Sequence, residues 1–458
     1  MNILLDAGHA GGRTPLAALS AASLPAWLET QPGTTRRWVE SMGFTAQPAS
    51  WCGVPGNDGG VSQILAGVAE TADLYALAHL PLALPPGDYA LALWPPAVDA
   101  AQLALGFALG AYQFTRYRNA RRAPARLALP AGIDAIALRR TLAACVLVRD
   151  LVNTPSEDLG PAQLADVVRQ VAAARGASVR EWIGDELLAA NFPAIHAVGR
   201  ASHRAPRLIE LNWGDAARPL LAIVGKGVCF DSGGLNLKTS EGMRWMKKDM
   251  GGAAHALALA QWVMDQQLPV RLSLLVPAVE NAVGPQAYRP GEIVRTRAGL
   301  NVEIDNTDAE GRVVLCDALA YAAEQAPDLL LDFATLTGAA RVALGPDLPA
   351  LFANDESLSQ SIMAAGRERM DPMWPMPLWR PYRSLFESGI ADFTNSSASR
   401  HAGAITAALY LDRFVPETLP WAHVDVYAWN DADRPGRPRG GEAQGLRAFA
   451  AFLAQRYR

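Results

Sequence analysis

Cysteine, net charge and long apolar runs are all in short supply in this chain, and each shortage closes off a class of protein. Four of its 458 residues are cysteine. Cys52, Cys145, Cys229 and Cys316 stand far apart with no C-x-x-C pair, which excludes a secreted disulfide framework and a thiolate zinc site and leads to the expectation of reduced thiols in a cytoplasmic protein. Basic residues number 41 against 45 acidic ones, a net charge of -4, so the chain has neither the charge excess of a disordered protein nor the basic footprint of one that coats nucleic acid. The nearest approach to a membrane span, AAQLALGFALGAYQF at 100–114, is broken by two glutamines and falls short of ~18 uninterrupted apolar residues, so it reads as a buried helix and no membrane partner is expected. The opening MNILLDAGHAGG lacks a basic n-region and carries Asp6 in its apolar stretch, which makes it a poor signal peptide.

What is present is an ordinary globular composition, 50% hydrophobic and 19% charged. At roughly 100–200 residues per domain, the length allows about two to four domains, each able to bury a core. Residues 1–131 carry strand-length apolar runs, SQILAGV at 62–68 and YALALW at 89–94, broken by turn-formers such as VPGNDGG at 54–60. The basic cluster there, RYRNARRAPAR at 116–126, reads as the solvated end of a helix. A long linking helix over about 133–153 is stopped by NTPSEDLGP and opens the second domain, 132–458. In that domain helices over 161–175, 184–191, 251–267 and 312–326 alternate with strands over 178–183, 207–213, 219–228, 270–276, 302–306 and 328–333, followed by a helix in 400–414 and a strand in 423–430. The fold class that follows is α/β: a smaller N-terminal α/β domain, then a larger α/β domain with a mixed central sheet flanked by helices. Such sheets bind ligands beyond the carboxyl ends of their strands.

Three segments concentrate chemistry at such ends. LLAIVGKGVCFDSGGLNLK at 220–238 begins as a buried strand and ends with Lys226, Asp231 and Lys238 among Gly225, Gly227, Gly233 and Gly234. Charges placed there are costly unless paired or bound to metal. MRWMKKDMGGAAHALALAQWV at 243–263 sets Asp249 beside a Gly-Gly that opens an apolar helix, where a lone aspartate would be an N-terminal acid. VEIDNTDAEGRVVLCDAL at 302–319 runs a strand into Asp305, Asp308, Glu310 and Arg312; Asp308, Glu310 and Arg312 are two apart and share a side for as long as the chain stays extended. Carboxylates aimed at one point need a cation between them, and hard divalent ions about 3.5–4 Å apart form the clamp of two-metal hydrolases. Lys226, Asp231, Asp249, Asp308 and Glu310 supply enough oxygen and nitrogen for two such ions without any histidine. Lys226 can ligate only as the neutral amine, so its pKa is expected to be pushed down, by burial and by two nearby divalent cations. Asp305, of opposite parity, is given a structural role, as are Cys229, Cys316, His255 and His401.

With these residues in view, GKGVCFDSGGLNLK, MKKDMGGAAH and NTDAEGR together resemble the signature segments of the leucyl aminopeptidase (cytosol aminopeptidase) family, peptidase family M17. The resemblance spans roughly 150–458, including TLTGA at 335–339 and GGEAQGLRAF at 440–449, and is weak before residue 130. It implies a metal-dependent aminopeptidase that hydrolyses the N-terminal residue, leucine-like or of broad identity, from peptides with a free N-terminus through a two-metal-activated water. It also implies that Lys226, Asp231, Asp249, Asp308 and Glu310 are the metal ligands, the Asp308 carbonyl adding one contact. Lys238 then matches the catalytic lysine that polarises the scissile carbonyl, and Arg312 the arginine that holds a bicarbonate ion acting as general base. Backbone near Leu336 and Gly338 would help hold bicarbonate or substrate, and Met246 and Thr335 would line the pocket for the first side chain. Two zinc or manganese ions, or magnesium, and a homohexamer built as a dimer of trimers complete the implication, with 1–131 as an accessory and oligomerisation domain. Cys229 stands where the family often has threonine, and the N-terminal domain is shorter than is typical.

Two other readings compete. A DNA-binding or recombination-accessory role suits some family members, but here only 116–126 and 434–439 are basic. A two-metal phosphoesterase would need more anion clamps than Lys238 and Arg312 provide.

Overall fold

The short apolar runs near the start of the chain pair side by side in the computed structural model, which describes residues 3–8, 12–71 and 73–457. Six strands, β1 (Leu4–Leu5), β2 (Thr14–Leu19), β3 (Trp51–Pro55), β4 (Val61–Gly67), β5 (Asp88–Leu93) and β6 (Arg126–Ala128), form one sheet in the order β1-β6-β5-β2-β4-β3. The pairings are parallel except for β3 with β4. The apolar segment at 100–114 becomes the helix Ala100–Gly110, largely buried. The basic cluster is solvated at Arg116, Arg118 and Arg121, which are exposed, and used internally at its end: Arg122 donates to the carbonyls of Leu82 and Leu84, and Arg126 clasps Asp88 with bonds of 2.7 and 2.9 Å. This sheet belongs to a compact unit made of the chain up to Val146 together with Asp431–Arg439.

Leu147–Asn430 and Gly440–Arg458 form the second unit. Its strands are β7 (Ser178–Ile183), β8 (Arg207–Trp213), β9 (Leu220–Gly225), β10 (Gly227–Asp231), β11 (Arg271–Asn281), β12 (Ile293–Arg295), β13 (Asn301–Glu303), β14 (Leu329–Ala334), β15 (Ala350–Ala353), β16 (Trp374–Pro375), β17 (Phe393–Thr394), β18 (Trp421–Asp425) and the short pair β19 (Trp429–Asn430) and β20 (Gly440–Gly441). The large sheet runs β16-β15-β18-β14-β9-β11-β8-β7, with β10 continuing β9 along β11. Its centre, β18-β14-β9-β11, is parallel, and antiparallel strands β15 and β8-β7 extend it on either side. The mixed α/β architecture agrees with the sequence reading. The strands β9 and β14 are buried at every position, as parallel strands covered on both faces must be.

Alternation along β9 explains the two layers of helices. Ala222 and Val224 point into a core shared with Val313, Val314 and Leu315 of the helix Glu310–Glu324. Gly225, on the other face, lies under the helix Gly251–Asp265, which also packs against Leu446–Arg456. That second contact is backbone on backbone: a Cβ on Gly252 would sit 2.1 Å from the Phe333 carbonyl oxygen, and one on Gly225 2.6 Å from the Ala253 Cα. The Gly-Gly that opens this helix therefore fixes how near its N-terminus, and the turn before it, come to the ends of β9 and β14. Among the described residues no helix is long and apolar enough to cross a membrane. Because neither backbone can yield cheaply, Gly252→Ala is expected to destabilise the protein by about 1–3 kcal/mol. The check is a lowered denaturant midpoint at unchanged slope; an unchanged midpoint would show that this contact does not set the helix position.

Candidate metal centre

Lys226 stands where β9 ends and β10 begins, its amide donating to the Phe333 carbonyl and its side chain buried. The ammonium reaches Asp249 Oδ2 and Glu310 Oε1, both at 2.8 Å, and donates to the Thr335 carbonyl at 2.9 Å. The space it occupies exists because residue 311 is glycine: a Cβ there would lie 2.7 Å from the Lys226 Nζ. Lys238, less deeply placed, pairs with Asp231 Oδ2 at 2.8 Å and Asp308 Oδ1 at 2.5 Å. One carboxylate oxygen from each of Asp231, Asp308 and Glu310 lies within 4.8 Å of the other two. The chain thus gathers all five residues named as metal ligands, together with Lys238, from three separated segments.

The local routes differ from the parity expected of an extended chain. Strand β13 ends at Glu303, Asn306 caps a 3-10 turn over Thr307–Ala309 by accepting from the Asp308 amide at 2.8 Å, and Glu310 opens the helix. Asp308 and Glu310 converge because a turn meets a helix N-terminus there, which also suits a carboxylate to the helix dipole. The expectation of one extended face is corrected on that ground. Asp305 is structural: its amide donates to Asn395 Oδ1 at 2.8 Å and its carboxylate accepts from Ser396. Asp249 lies in the 3-10 turn Met246–Met250 and accepts from the Thr335 hydroxyl at 2.8 Å.

Without cations, burial lowers the Lys226 ammonium but Asp249, Glu310 and Asp231 outweigh it and hold the group above its ordinary value, so the lysine serves as the counter-ion of the carboxylates. The expected depression belongs to the metal-loaded corner. Lys238 is likewise lowered by burial and raised further by Asp231, Glu310 and Asp249. Burial pushes Glu310 well up, with Asp231 adding to it against Lys226, and pushes Asp308 up to about 6, with Asp231 adding to it against Lys238. Four carboxylates face two ammonium groups, an excess of negative charge, and Glu310 Oε2 is buried without a hydrogen-bond partner. A hard divalent cation fits this donor set, since it supplies the missing charge and takes oxygen ligands.

Arg312, two residues into the same helix, is buried; its Nη1 donates to the Asn395 carbonyl at 2.8 Å and its Nε has no partner. Burial lowers its guanidinium from the usual value, against the pull of Tyr410, Glu310 and Asp425. Met246 is half-buried at the start of its turn, and Thr335 bridges Lys226 and Asp249. The Leu336 amide is occupied, donating to Asp425 Oδ1 at 2.9 Å, whereas Gly338 opens the helix Gly338–Leu344 with Thr337 as its cap. His255 is a satisfied core residue, its Nδ1 donating to the Gly251 carbonyl and its Nε2 accepting from the Gln444 amide. Cys229 and Cys316 are buried, and His401 is exposed.

Several supports escaped the sequence reading. Asn281 donates to Asp231 Oδ1 at 2.8 Å and to the Thr307 carbonyl at 2.9 Å, and the Tyr288 hydroxyl meets the same carbonyl at 2.7 Å. Asn281 ends the apolar run of β11 at its carboxyl end, which was a readable signal. Asn395 sits in a polar loop that carries none.

Comparison with known proteins matches residues 146–450 to the cytosol aminopeptidase family, catalytic domain, and residues 14–130 to the M17 aminopeptidase N-terminal domain. A probable cytosol aminopeptidase of Roseiflexus castenholzii is 41% identical over 376 residues, 78% of this chain and 77% of that protein. Among solved structures, the cytosol aminopeptidase from Coxiella burnetii is 49% identical with a TM-score of 0.96 and covers 100% of both chains. The bottromycin maturation enzyme BotP in complex with Mn is 32% identical with a TM-score of 0.85, over 98% of this chain and 100% of that one. The chain therefore belongs to the cytosol aminopeptidase family, M17, and is a metal-dependent aminopeptidase.

Proposed function

We propose that this aminopeptidase holds two divalent cations on Lys226, Asp231, Asp249, Asp308 and Glu310, and that it removes the first residue of peptides with a free N-terminus. The observation that carries the reading is the buried, oxygen-rich corner with its surplus negative charge and the unpartnered Glu310 Oε2. Cations bound there would lower the pKa of water to supply a nucleophile at neutral pH and would polarise the scissile carbonyl. Asp249 and Glu310 are the acceptors that Lys226 now satisfies, so ligation by its neutral amine accompanies their transfer to the cations. Manganese is supported by the Mn complex of the BotP relative, and zinc and magnesium by the donor chemistry.

Lys238 is the charged group assigned to the developing oxyanion. It stays protonated against Asp231 and Asp308 and is the less buried of the two lysines, with 15% of its side chain exposed against 3% for Lys226. Arg312 cannot act as a base, since a guanidinium remains protonated, but its unpartnered Nε is suited to an anion. Bicarbonate held there is the assigned general base, with backbone near Leu336 and Gly338 assigned to help hold it or the substrate. Met246 and Thr335 are assigned to the pocket for the substrate's first side chain. A cytoplasmic homohexamer, assembled as a dimer of trimers, is the proposed working form, and sedimentation of a monomer alone would reject it.

The test is hydrolysis of a panel of aminoacyl amides and dipeptides with zinc, manganese and magnesium in turn. Cleavage confined to the first peptide bond is expected, and cleavage inside a blocked peptide would overturn the reading. Asp249→Ala and Glu310→Ala should lose bound metal and turnover together while the fold, followed by circular dichroism, survives. Wild-type hydrolysis of a leucine amide by either variant would reject the ligand set. Lys238→Ala should keep its metal, measured by elemental analysis, and lose turnover about 10²–10³-fold, the usual cost of removing an oxyanion donor. Unchanged turnover would reject its role.

A further inference from the structure

Away from the metal centre, the second unit carries an open pocket of about 500 Å³ where β7, β8 and the start of β11 meet the C-terminal end of the helix Glu310–Glu324. Glu210, Asn212, Trp213, Arg271, Tyr321 and Gln325 are among its walls. The volume falls within the range of small-molecule sites. Glu210 gives it a chemical direction. This carboxylate is 6% exposed, yet its neighbouring donors stand far off: the Tyr321 hydroxyl at 3.4 Å from each oxygen and the Gln325 amide at 3.5 Å. Hydrogen bonds to oxygen ordinarily run about 2.5–3.0 Å from a hydroxyl and about 2.7–3.2 Å from an amide N–H. Arg180 lies directly opposite Glu210 in the register of β7 and β8, but its guanidinium rests over the Trp182 ring, 4.3 Å from the centroid. Ser273, opposite Asn212 in the register of β8 and β11 but not among the pocket's walls, has a fully buried hydroxyl with no hydrogen bond.

A buried carboxylate without a close donor costs free energy that a protein rarely leaves unmet, so an under-satisfied one aimed at a cavity implies a donor from outside. The Tyr321 ring already carries the Arg297 guanidinium, 4.7 Å from its centroid, so recognition of a guest falls to Glu210. We propose that this pocket is a second binding site, separate from the catalytic corner, for a small organic cation bearing a primary amine or a guanidinium. The cationic group seats on Glu210, and a ligand that also carries a carboxylate can extend it toward Arg271 at the pocket's other strand.

The experiment is calorimetric titration of the full-length protein with agmatine and cadaverine, which are cations only, and with arginine and lysine, which carry a carboxylate as well. The Glu310→Gln variant is titrated in parallel to remove binding at the catalytic corner. Binding of the amines that persists in Glu310→Gln and weakens about tenfold or more in Glu210→Gln is the expected result. The Glu210→Gln variant should keep wild-type peptide turnover. Tighter binding of arginine than agmatine, lost in Arg271→Met, would place the carboxylate on Arg271; equal binding would confine recognition to the cationic group. Asn212→Tyr, which fills the pocket and leaves the carboxylate in place, should abolish binding if Glu210→Gln fails to fold. Absence of binding by all four probes, binding unchanged in Glu210→Gln, or binding lost in Glu310→Gln would overturn the proposal, and none of these outcomes bears on the aminopeptidase assignment.

Discussion

Repulsion among Asp231, Asp249, Asp308 and Glu310 is the constraint around which the second unit is arranged. Four carboxylates drawn out of water into one corner would each forfeit hydration and raise the cost of the next. Lys226 and Lys238 divide the group between them, each bridging two acids, and the fold makes room for both. Lys226 interrupts the strand that would otherwise run unbroken from Leu220 to Asp231, so a buried ladder position is given to a charge. Gly311 leaves its ammonium space, and the Gly-Gly at 251–252 brings the turn carrying Asp249 down onto the ends of β9 and β14. Backbone geometry, glycine placement and the strand break all answer the same electrostatic demand.

The two lysines are not equivalent. Lys226 is enclosed by Asp249, Glu310 and the Thr335 carbonyl, so all of its donors are used inside the protein. Lys238 bridges Asp231 and Asp308 nearer the surface, where an incoming carbonyl can meet it. Their depth separates a group that is well placed to join a metal's ligands from one that is well placed to meet substrate charge. Without cations both are held charged by carboxylates, whose pull outweighs burial.

Much of this was legible in the sequence, for identifiable reasons. Apolar runs with turn-formers between them located β4, β5 and β14 to within about one residue, and the run 219–228 took in β9 and the start of β10. β9 and β14 are buried on both faces, which leaves little compositional freedom. The gathering of Lys226, Asp231, Asp308 and Glu310 was legible because acids and lysines at the ends of apolar strands have few structural uses. The geometry joining them was less so. The stretch 302–312 reads as one extended run, yet Asn306 ends it by capping a turn, a local hydrogen bond that competes with strand formation. Asn281 and Asn395 act through partners 26–90 positions distant, and no local pattern records such bonds.

Asn395 shows what those distant bonds accomplish. Its side-chain oxygen accepts from the amides of Asp305 and Asn306, its side-chain nitrogen donates to the Asn306 carbonyl, and its own carbonyl receives Arg312. One residue therefore orients both the turn that carries Asp308 and the guanidinium assigned to the anion. Asn236 and Thr307 lock the other side of that turn, the Thr307 amide donating to Asn236 Oδ1 and the Asn236 amide to the Thr307 hydroxyl, both at 2.8 Å. Asn281 then ties Asp231 to the Thr307 carbonyl. The proposed ligand, oxyanion and anion positions are thus connected by hydrogen bonds within the protein itself. Preorganised dipoles and charges stabilise a transition state without paying for reorganisation at the moment of reaction. A site assembled from three distant segments can work only if such supports hold it within a fraction of an ångström, and here that support comes mainly from asparagines and a threonine.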